Sequence, residues 1–352
     1  MRVSRVLAGL MVLCLALFVV GCSGGGTQQQ KAAEQQQAQQ KPAAPQEIKL
    51  NIATATTGGV YYPLGGAFAQ VWNKYIPGMK ATAQATAGTP QNVELMRNKQ
   101  AEIAFGQNGV SYYAYKGIEQ FQGKPYTDLR AMTSLYSNVM HIVARKASKI
   151  KSVADFKGKR FAPGAVASAT EINSREILSI YGLNYMKDKG EVNVRADFVD
   201  YNAAADLIKN GQIDGYLIAG GIPTAAVMDT FASADVELIS LEPEKIKELT
   251  TKYPWYFEIV IPPNTYKGQT KEVHTVAVSN LLLCRADLPD DLVYTLVKTL
   301  YDHHDELVAA HKAAQEMTIQ NALNGMTVPL HPGAAKFLRE KGLNVDKYLP
   351  PK

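Results

Sequence analysis

Five polar, glycine-containing turns are the parts of this sequence best placed to bind a ligand or do chemistry. Each turn comes where a predicted strand ends and a predicted helix begins. Backbone N–H groups at a helix start, together with the helix dipole, bind carboxylates without any basic side chain. Glycine also lets a ligand approach the backbone closely. The five turns are residues 56–63, 87–90, 106–109, 163–171 and 219–224.

The candidate ligand contacts come from these turns. One such turn alone is typical of any α/β protein, but five of them across two blocks of chain favour a binding cleft at the carboxyl ends of the strands. The Ser168 and Thr170 hydroxyls and the N–H groups near Gly59 would hold carboxylate oxygens. The full predicted set is Thr57, Gly59, Val60, Tyr61, Thr89, Gln107, Asn108, Ser168, Thr170, Gly220, Gly221 and Pro223.

Helix-start signals occur in the same turns. Pro63, Pro90 and Pro223 stand where a first helical residue belongs. Ser168 with Glu171 fits a capping box, in which two side chains satisfy N–H groups at the helix start. These signals predict that helices begin directly at the proposed cleft.

The elements that position the turns alternate between strand and helix. Apolar residues with strand or helical periodicity follow one another from residue 48 to about 241. Residues 129–145 predict one or two long strands, and residues 273–285 predict a strand that returns to the first block. Helices are expected over residues 290–311 and about 313–323. The pattern predicts an α/β protein with a mostly parallel sheet and two lobes that form a clamshell.

The N-terminus has the pattern of a secretory signal. Arg2 and Arg5 precede an apolar run at residues 8–20, and small residues lead to Cys22. This ending resembles the bacterial lipobox, so we expect residues 1–21 to be a lipoprotein signal peptide and Cys22 to be the lipid attachment site. A plain cleaved signal and an uncleaved anchor helix are the alternatives. Residues 22–47 lack apolar periodicity and predict a disordered, membrane-anchored linker.

Composition argues against several other functions. The formal net charge is +5, and the basic residues form no stripe with aromatic residues, so nucleic acid is not an expected partner. Cys284 is the only cysteine of the body and lies in an apolar run, which indicates a buried side chain. Ser148 and Lys151 match Ser-x-x-Lys without its companion motifs. We therefore expect no catalytic residue, no metal site and no cofactor.

Several motifs together resemble the TAXI family, the solute receptors of TRAP (tripartite ATP-independent periplasmic) transporters. The most specific is TGGVYYPLGG at residues 57–66. The chain departs from the family pattern at Gly109, where the family often has an acidic residue. The other matches, in family order, are residues 107–115, 129–136, 155–160, 211–214, 219–224, 262–266, 285–289 and 329–334.

The resemblance implies a two-lobed, periplasmic-binding-protein-like (type II) fold with a ligand cleft between the lobes. It also implies capture of glutamate, glutamine or a dicarboxylate and delivery to a TRAP-type membrane permease. The expected lobes are residues 48–146 and 147–266, with residues 267–352 returning to lobe 1 and forming C-terminal helices. We expect a monomer outside the cytoplasm. The alternatives are a receptor for an ABC importer or a sensor kinase and, with less support, a secreted enzyme on the same fold.

Overall fold

One mixed β-sheet of ten strands organises the computed structural model, which describes residues 47–351. The strand order is β2-β1-β3-β10-β4-β7-β5-β6, with β8 paired to β4 and β9 paired to β10. The strands are β1 (Ile48–Ala53), β2 (Met79–Gln84), β3 (Ile103–Gln107), β4 (Leu129–Arg145), β5 (Arg160–Ala162), β6 (Arg195–Ala196), β7 (Gly215–Gly220), β8 (Val236–Leu238), β9 (Tyr256–Ile261) and β10 (Val273–Arg285).

Two long strands, β4 and β10, run through both halves of the sheet. The C-terminal end of β10 pairs with β3, and its N-terminal end pairs with β9. β4 pairs with β10 over most of its length and continues beside β7. The register between β4 and β10 shifts between Ser279 and Leu281. Such irregularities bend a strand locally, and this one lies in β10 where its pairing changes from β9 to β3.

The helices cover the sheet and mostly begin directly after a strand. A side chain or proline marks several helix starts, such as Asp200, whose carboxylate accepts the N–H of Ala203 at 3.0 Å. The helices are α1 (Tyr61–Tyr75), α2 (Thr89–Arg97), α3 (Asn108–Lys116), α4 (Ala169–Ser179), α5 (Tyr201–Lys209), α6 (Ala225–Ser233), α7 (Pro243–Lys252), α8 (Asp290–Asp302), α9 (His304–Ala310) and α10 (Pro332–Glu340).

Buried apolar side chains form three clusters, and these define two lobes. Lobe 1 packs around a cluster that contains Leu50, Phe68 and Phe105, and includes α1–α3 and α8–α10. Lobe 2 packs around two clusters, one on each face of its half of the sheet, and includes α4–α7. The clusters meet inside β4 and β10. The expected lobe boundaries at residues 146 and 266 stay predictions.

The structure confirms most predicted elements and corrects several. The sheet is mixed and not mostly parallel, because five of its nine strand pairings, all made by β4 or β10, are antiparallel. β10 spans the predicted residues 273–285, and residues 129–145 form one strand. The helix predicted over 290–311 is two helices, because it breaks at His303. The helix predicted near 313–323 is only a short 3-10 turn at Lys312–Glu316. None of the three prolines is the first helical residue. Pro63 is the third residue of α1, Pro90 is the second residue of α2, and Pro223 lies before the N-cap Thr224 of α6.

The predicted signal peptide, Cys22 and nearly all of the predicted linker lie outside the described residues. Within residues 47–351, no helix is both long and apolar enough to cross a membrane.

Candidate ligand-binding cleft

A cleft of about 450 Å³ lies between the two lobes. Lobe 1 contributes the turns that open α1 and α2, together with Gln107, Tyr136 and Asn138. Lobe 2 contributes the turns that open α4 and α5, and Ala219 at the end of β7. The volume lies within the range of small-molecule sites, about 300–1,000 Å³.

The structure brings eight of the twelve predicted residues to this cleft and leaves four outside its lining. Asn108 instead lines a second cavity behind β4, beside Tyr112 and Trp255. The fifth predicted turn also stays outside. The eight lining residues are Thr57, Gly59, Val60, Tyr61, Thr89, Gln107, Ser168 and Thr170.

In the fifth predicted turn, residues 219–224, the Thr224 side chain fills the space beside Gly220. A Cβ on Gly220 would lie 2.2 Å from Thr224 Oγ1, so this glycine makes room for the Thr224 side chain. The Thr224 hydroxyl donates to the Gly221 carbonyl at 2.6 Å. Gly221 lies against Ala313 and Val60, and Pro223 follows in the same turn. The turn therefore supports the cleft from behind.

Glycines at the start of α1 allow the two lobes to touch. A Cβ on Gly58 would lie 2.3 Å from Asn202 Oδ1, and one on Gly59 would lie 3.3 Å from the Tyr201 ring. Asn202 Nδ2 donates to Thr57 Oγ1 across the lobes at 3.3 Å. Because side chains at these two glycines would meet lobe 2 atoms, residues 57–59 allow the lobes to approach this closely.

The lobe 2 wall is a hydroxyl network whose members orient one another. Tyr201 Oη donates to the Ala219 carbonyl at 2.7 Å. That bond uses the only Tyr201 hydroxyl hydrogen, so Thr170 Oγ1, 2.6 Å away, donates to Tyr201. Ser168 Oγ accepts the N–H of Glu171 at 3.1 Å and keeps its own hydrogen for a ligand. Burial raises the pKa of Tyr201 to about 12, so its phenol stays protonated.

Only half of the predicted capping box forms at α4. Ser168 caps the helix, but the Glu171 carboxylate pairs instead with Arg175 at 2.8 Å. Gly164, with φ of +115°, precedes the helix. A Cβ there would lie 2.9 Å from the Glu171 nitrogen and 3.0 Å from Ser168 Oγ. The glycine therefore permits the turn that presents Ser168 to the cleft.

The lobe 1 floor contains buried amides with unsatisfied atoms. The backbone N–H of Gln107 donates to Thr89 Oγ1 at 3.0 Å, while Tyr61 Oη donates to Asn280 Oδ1. Within residues 47–351, Gln107 Oε1, Asn138 Oδ1 and Asn280 Nδ2 are buried and make no hydrogen bond. Buried polar atoms are rarely left so, because each one costs about 1–3 kcal/mol. Gln107 and Asn138 line the cleft, so a ligand could satisfy them.

The cleft offers helix starts in place of basic side chains. Among the described residues that line it, none is Lys or Arg, and Asp200 is the only acidic one. Four helices, α1, α2, α4 and α5, begin with cleft-lining residues. The first N–H groups of a helix lack partners inside the helix and carry its positive end. An anionic group therefore fits the edge of this cleft.

Sequence reasoning missed several lining residues. Tyr136 and Asn138 lie inside β4, which also contains Thr133, Ser134 and Ser137, so a polar side chain in this strand is no local signal for the cleft. Asp200 and Tyr201 form a sixth polar strand-to-helix turn, which lacks the glycine that identified the other five.

The remaining residues that could act as a nucleophile or metal ligand have structural roles or no partners for such chemistry among the described residues. Cys284 is a buried free thiol, and burial raises its pKa. Ser148 Oγ donates to Asp214 Oδ1 at 2.6 Å, so its hydroxyl hydrogen is used in a structural hydrogen bond. The Ser-x-x-Lys spacing therefore does not indicate a nucleophile here. Among residues 47–351, no group of three or more His, Cys, Asp and Glu side chains could hold a metal ion.

Comparison with protein families identifies the chain's relatives. The model of the NMT1-like family matches residues 52–342. The chain belongs to the NMT1-like family. Its structure also resembles solved structures of low sequence identity. A protein of Bordetella bronchiseptica RB50 is 17% identical, with a TM-score of 0.51 over 86% of this chain and 93% of that one.

Two further structures are binding proteins. The periplasmic aliphatic sulphonate binding protein SsuA of Escherichia coli is 15% identical, with a TM-score of 0.45 over 83% of this chain and 82% of that one. A binding protein component of an ABC phosphonate transporter from Pseudomonas aeruginosa is 14% identical, with a TM-score of 0.47 over 84% of this chain and 95% of that one. The sheet, the buried clusters of the two lobes and the cleft between them give the described residues the predicted two-lobed α/β fold.

Proposed function

We propose that this protein is a solute-binding receptor that captures a small, amino-acid-like ligand with at least one carboxylate by closing its lobes. One observation carries the proposal: helix starts from both lobes and unsatisfied buried amides converge on one cleft. The first feature suits an anion, and the second suits a group that donates hydrogen bonds. Glutamate, glutamine or a related dicarboxylate is the proposed ligand class.

The carboxylate would lie against the starts of α1 and α4. The N–H groups near Val60 and Tyr61 approach from lobe 1, and the Ser168 hydroxyl approaches from lobe 2 with its hydrogen available. Thr170 is committed to Tyr201, so its oxygen would accept a hydrogen bond and not donate one. An anion held from both sides would favour the closed arrangement of the lobes.

The other end of the ligand would donate hydrogen bonds to Gln107 and Asn138. An ammonium or amide group supplies such donors. Gly109, where an acidic side chain would otherwise provide an ammonium partner, lies outside the cleft lining, and a Cβ there would lie 2.5 Å from the Trp255 ring. The partner for an ammonium group would therefore be Gln107 Oε1, Asn138 Oδ1 or the Asp200 carboxylate.

The membrane partner divides the proposal into two versions. The Pseudomonas protein named above belongs to an ABC transporter, and none of the structures named here is described with a TRAP-type permease, so these names fit the ABC alternative better. The TRAP version is supported by the sequence motifs that resemble the TAXI family, such as TGGVYYPLGG. Co-purification with each class of permease would separate the two versions.

The proposed location is the extracytoplasmic side of a membrane, with a lipid on Cys22 as the anchor. The signal-like N-terminus and the periplasmic origin in SsuA's name support this location. We propose no enzymatic activity, because two of the structures named above are described as binding proteins and the cleft-lining hydroxyls serve helix caps and the Tyr201 network.

A thermal-shift screen tests the function. The purified protein would be unfolded and refolded to remove bound ligand, then heated with acids, amino acids, sugars and metal ions. A ligand that binds only the folded state raises the melting temperature by mass action. A shift with glutamate, glutamine or a dicarboxylate is expected. A shift with sugars alone would refute the anionic, amino-acid-like ligand.

A further inference from the structure

The Glu176 carboxylate accepts hydrogen bonds from both lobes outside the ligand cleft. Glu176 lies on α4 of lobe 2 and is 6% exposed. Tyr113, on α3 of lobe 1, donates to its Oε1 at 2.7 Å. Tyr256, on β9 of lobe 2, donates to its Oε2 at 2.5 Å. The two bonds differ in kind, because only the bond from Tyr113 joins the lobes.

The surrounding contact is tightly packed. The Trp255 ring meets the edge of the Tyr113 ring, with centroids 5.0 Å apart, and also covers Gly109. Ala169 and Ile172 of α4 belong to the buried cluster of lobe 1. Lobe 2 thus covers part of the lobe 1 core here, and separation of the lobes would expose Tyr113, Trp255 and Glu176 together.

Few full charges face Glu176, and they come from several elements. On its own helix, Arg175 is engaged by Glu171. Glu119, after α3, faces it from lobe 1. No described Lys or Arg forms an ion pair with Glu176. The remaining titratable groups around the adjoining cavity of about 400 Å³ are Tyr185, Lys189, Lys252 and Tyr253.

Burial has a direct consequence for the proton affinity of this carboxyl. Desolvation raises the pKa of Glu176 from 4.5 to about 7, although Tyr256, Tyr113 and Arg175 favour the charged form. Opening would expose the carboxyl to water and return its pKa toward the ordinary value. The closed form therefore binds the proton more tightly, and lowering the pH from 7 toward 4.5 favours closure. As the pH rises through 7, this contribution to closure is lost.

We propose that Glu176 and Tyr113 form a proton-sensitive latch that makes lobe closure, and with it ligand affinity, stronger in mildly acidic surroundings. The affinity part of this proposal rests on the proposed function as a receptor that closes on its ligand. The latch itself can be tested without any ligand, because Trp255 lies in the contact.

The first test follows tryptophan fluorescence of the ligand-free, full-length protein between pH 4.5 and 8.5. The chain has two tryptophans, and the other, Trp72, is fully buried in lobe 1. We expect a transition at or below pH 7 in the wild type and none in Glu176→Gln, which keeps the shape of the neutral acid. The same transition in Glu176→Gln, or none in the wild type, would overturn the latch.

The second test measures glutamate affinity by calorimetry at pH 5.5 and pH 8, because both carboxyl groups of glutamate are ionised at each pH. The latch predicts at least about tenfold tighter binding at pH 5.5 than at pH 8, a difference that Glu176→Gln abolishes. A pH dependence that Glu176→Gln leaves intact would refute the latch. A fluorescence transition without any glutamate binding would refute the proposed ligand and leave the latch standing.

Two tyrosine variants provide a matched pair. Tyr113→Phe and Tyr256→Phe each remove one hydroxyl from the same carboxylate, but only Tyr113 belongs to the other lobe. We expect Tyr113→Phe to weaken glutamate binding several-fold more than Tyr256→Phe does, and Tyr256→Phe to lower mainly the melting temperature. Equal effects on affinity would contradict an interlobe role for Tyr113.

Discussion

Two buried amide side chains of lobe 1, Asn92 and Gln107, have opposite surroundings. Asn92 Nδ2 donates to the carbonyls of Ala53, Thr54 and Phe105 at 3.3, 2.6 and 2.9 Å, and its Oδ1 accepts from Thr86. Gln107 Oε1 is equally buried and makes no hydrogen bond within the described chain. The first amide joins α2 to two strand ends, whereas the second lies in the cleft wall.

From this difference we infer that the Asn92 amide stabilises the fold and that the Gln107 amide binds the ligand. A satisfied buried amide contributes to the stability of the free protein. An unsatisfied one costs stability and is retained where something else provides its partner. The two amides should therefore respond in opposite ways to replacement by an apolar side chain of similar size.

The largest expected effect is on stability at Asn92. Asn92→Leu leaves three buried carbonyls without this donor and should lower the free energy of unfolding by about 2–4 kcal/mol. Urea denaturation of the ligand-free protein measures this loss. A change below about 1 kcal/mol would show that the network contributes little to folding.

Gln107→Leu should show the reverse behaviour. Glutamate affinity is expected to fall about 10- to 100-fold, because a ligand donor loses its acceptor. The free energy of unfolding without ligand should stay within about 0.5 kcal/mol of the wild type or rise, because an unsatisfied atom is removed. Calorimetry and urea denaturation on the same preparation measure both quantities. Lost stability with unchanged affinity would make Gln107 structural, like Asn92.

The third effect is expected on the lobe 2 wall. Ser168→Ala combined with Thr170→Ala should weaken glutamate binding at least tenfold, or about 1.4 kcal/mol. Ser152→Ala is the matched control, because Ser152 also caps a helix start but lies outside the cleft lining. It should cost stability, about 1 kcal/mol, without changing affinity. Unchanged affinity in the double variant would remove both hydroxyls from the site.

The strand-to-helix turns could be predicted from sequence because their signals are local. Gly, Pro, Ser and Thr at a strand end mark a helix start directly, and this reasoning placed Thr89 and Ser168 beside the cleft. The alternating apolar pattern likewise predicted β10. Elements with weaker patterns were missed, such as the strongly charged helix α7 and the half-exposed strand β9.

The remaining site residues depend on tertiary structure. Asn138 reaches the cleft only because β4 passes between the lobes, and no local pattern encodes that path. The turn at Gly220 has the same local chemistry as the others, yet Thr224 fills the space that a ligand would need. Nor does spacing along the chain show that Glu176 meets tyrosines 63 and 80 positions away.

The central claim is that the cleft binds one ligand by an anionic end and a hydrogen-bond-donating end. The most direct test compares glutamate with glutarate, which keeps both carboxylates and lacks the ammonium group. Calorimetry on the refolded protein should show glutamate binding at least about tenfold more tightly, with this preference reduced in Gln107→Leu. Glutarate binding as tightly as glutamate would contradict the account, and so would the absence of binding by glutamate, glutarate and glutamine alike.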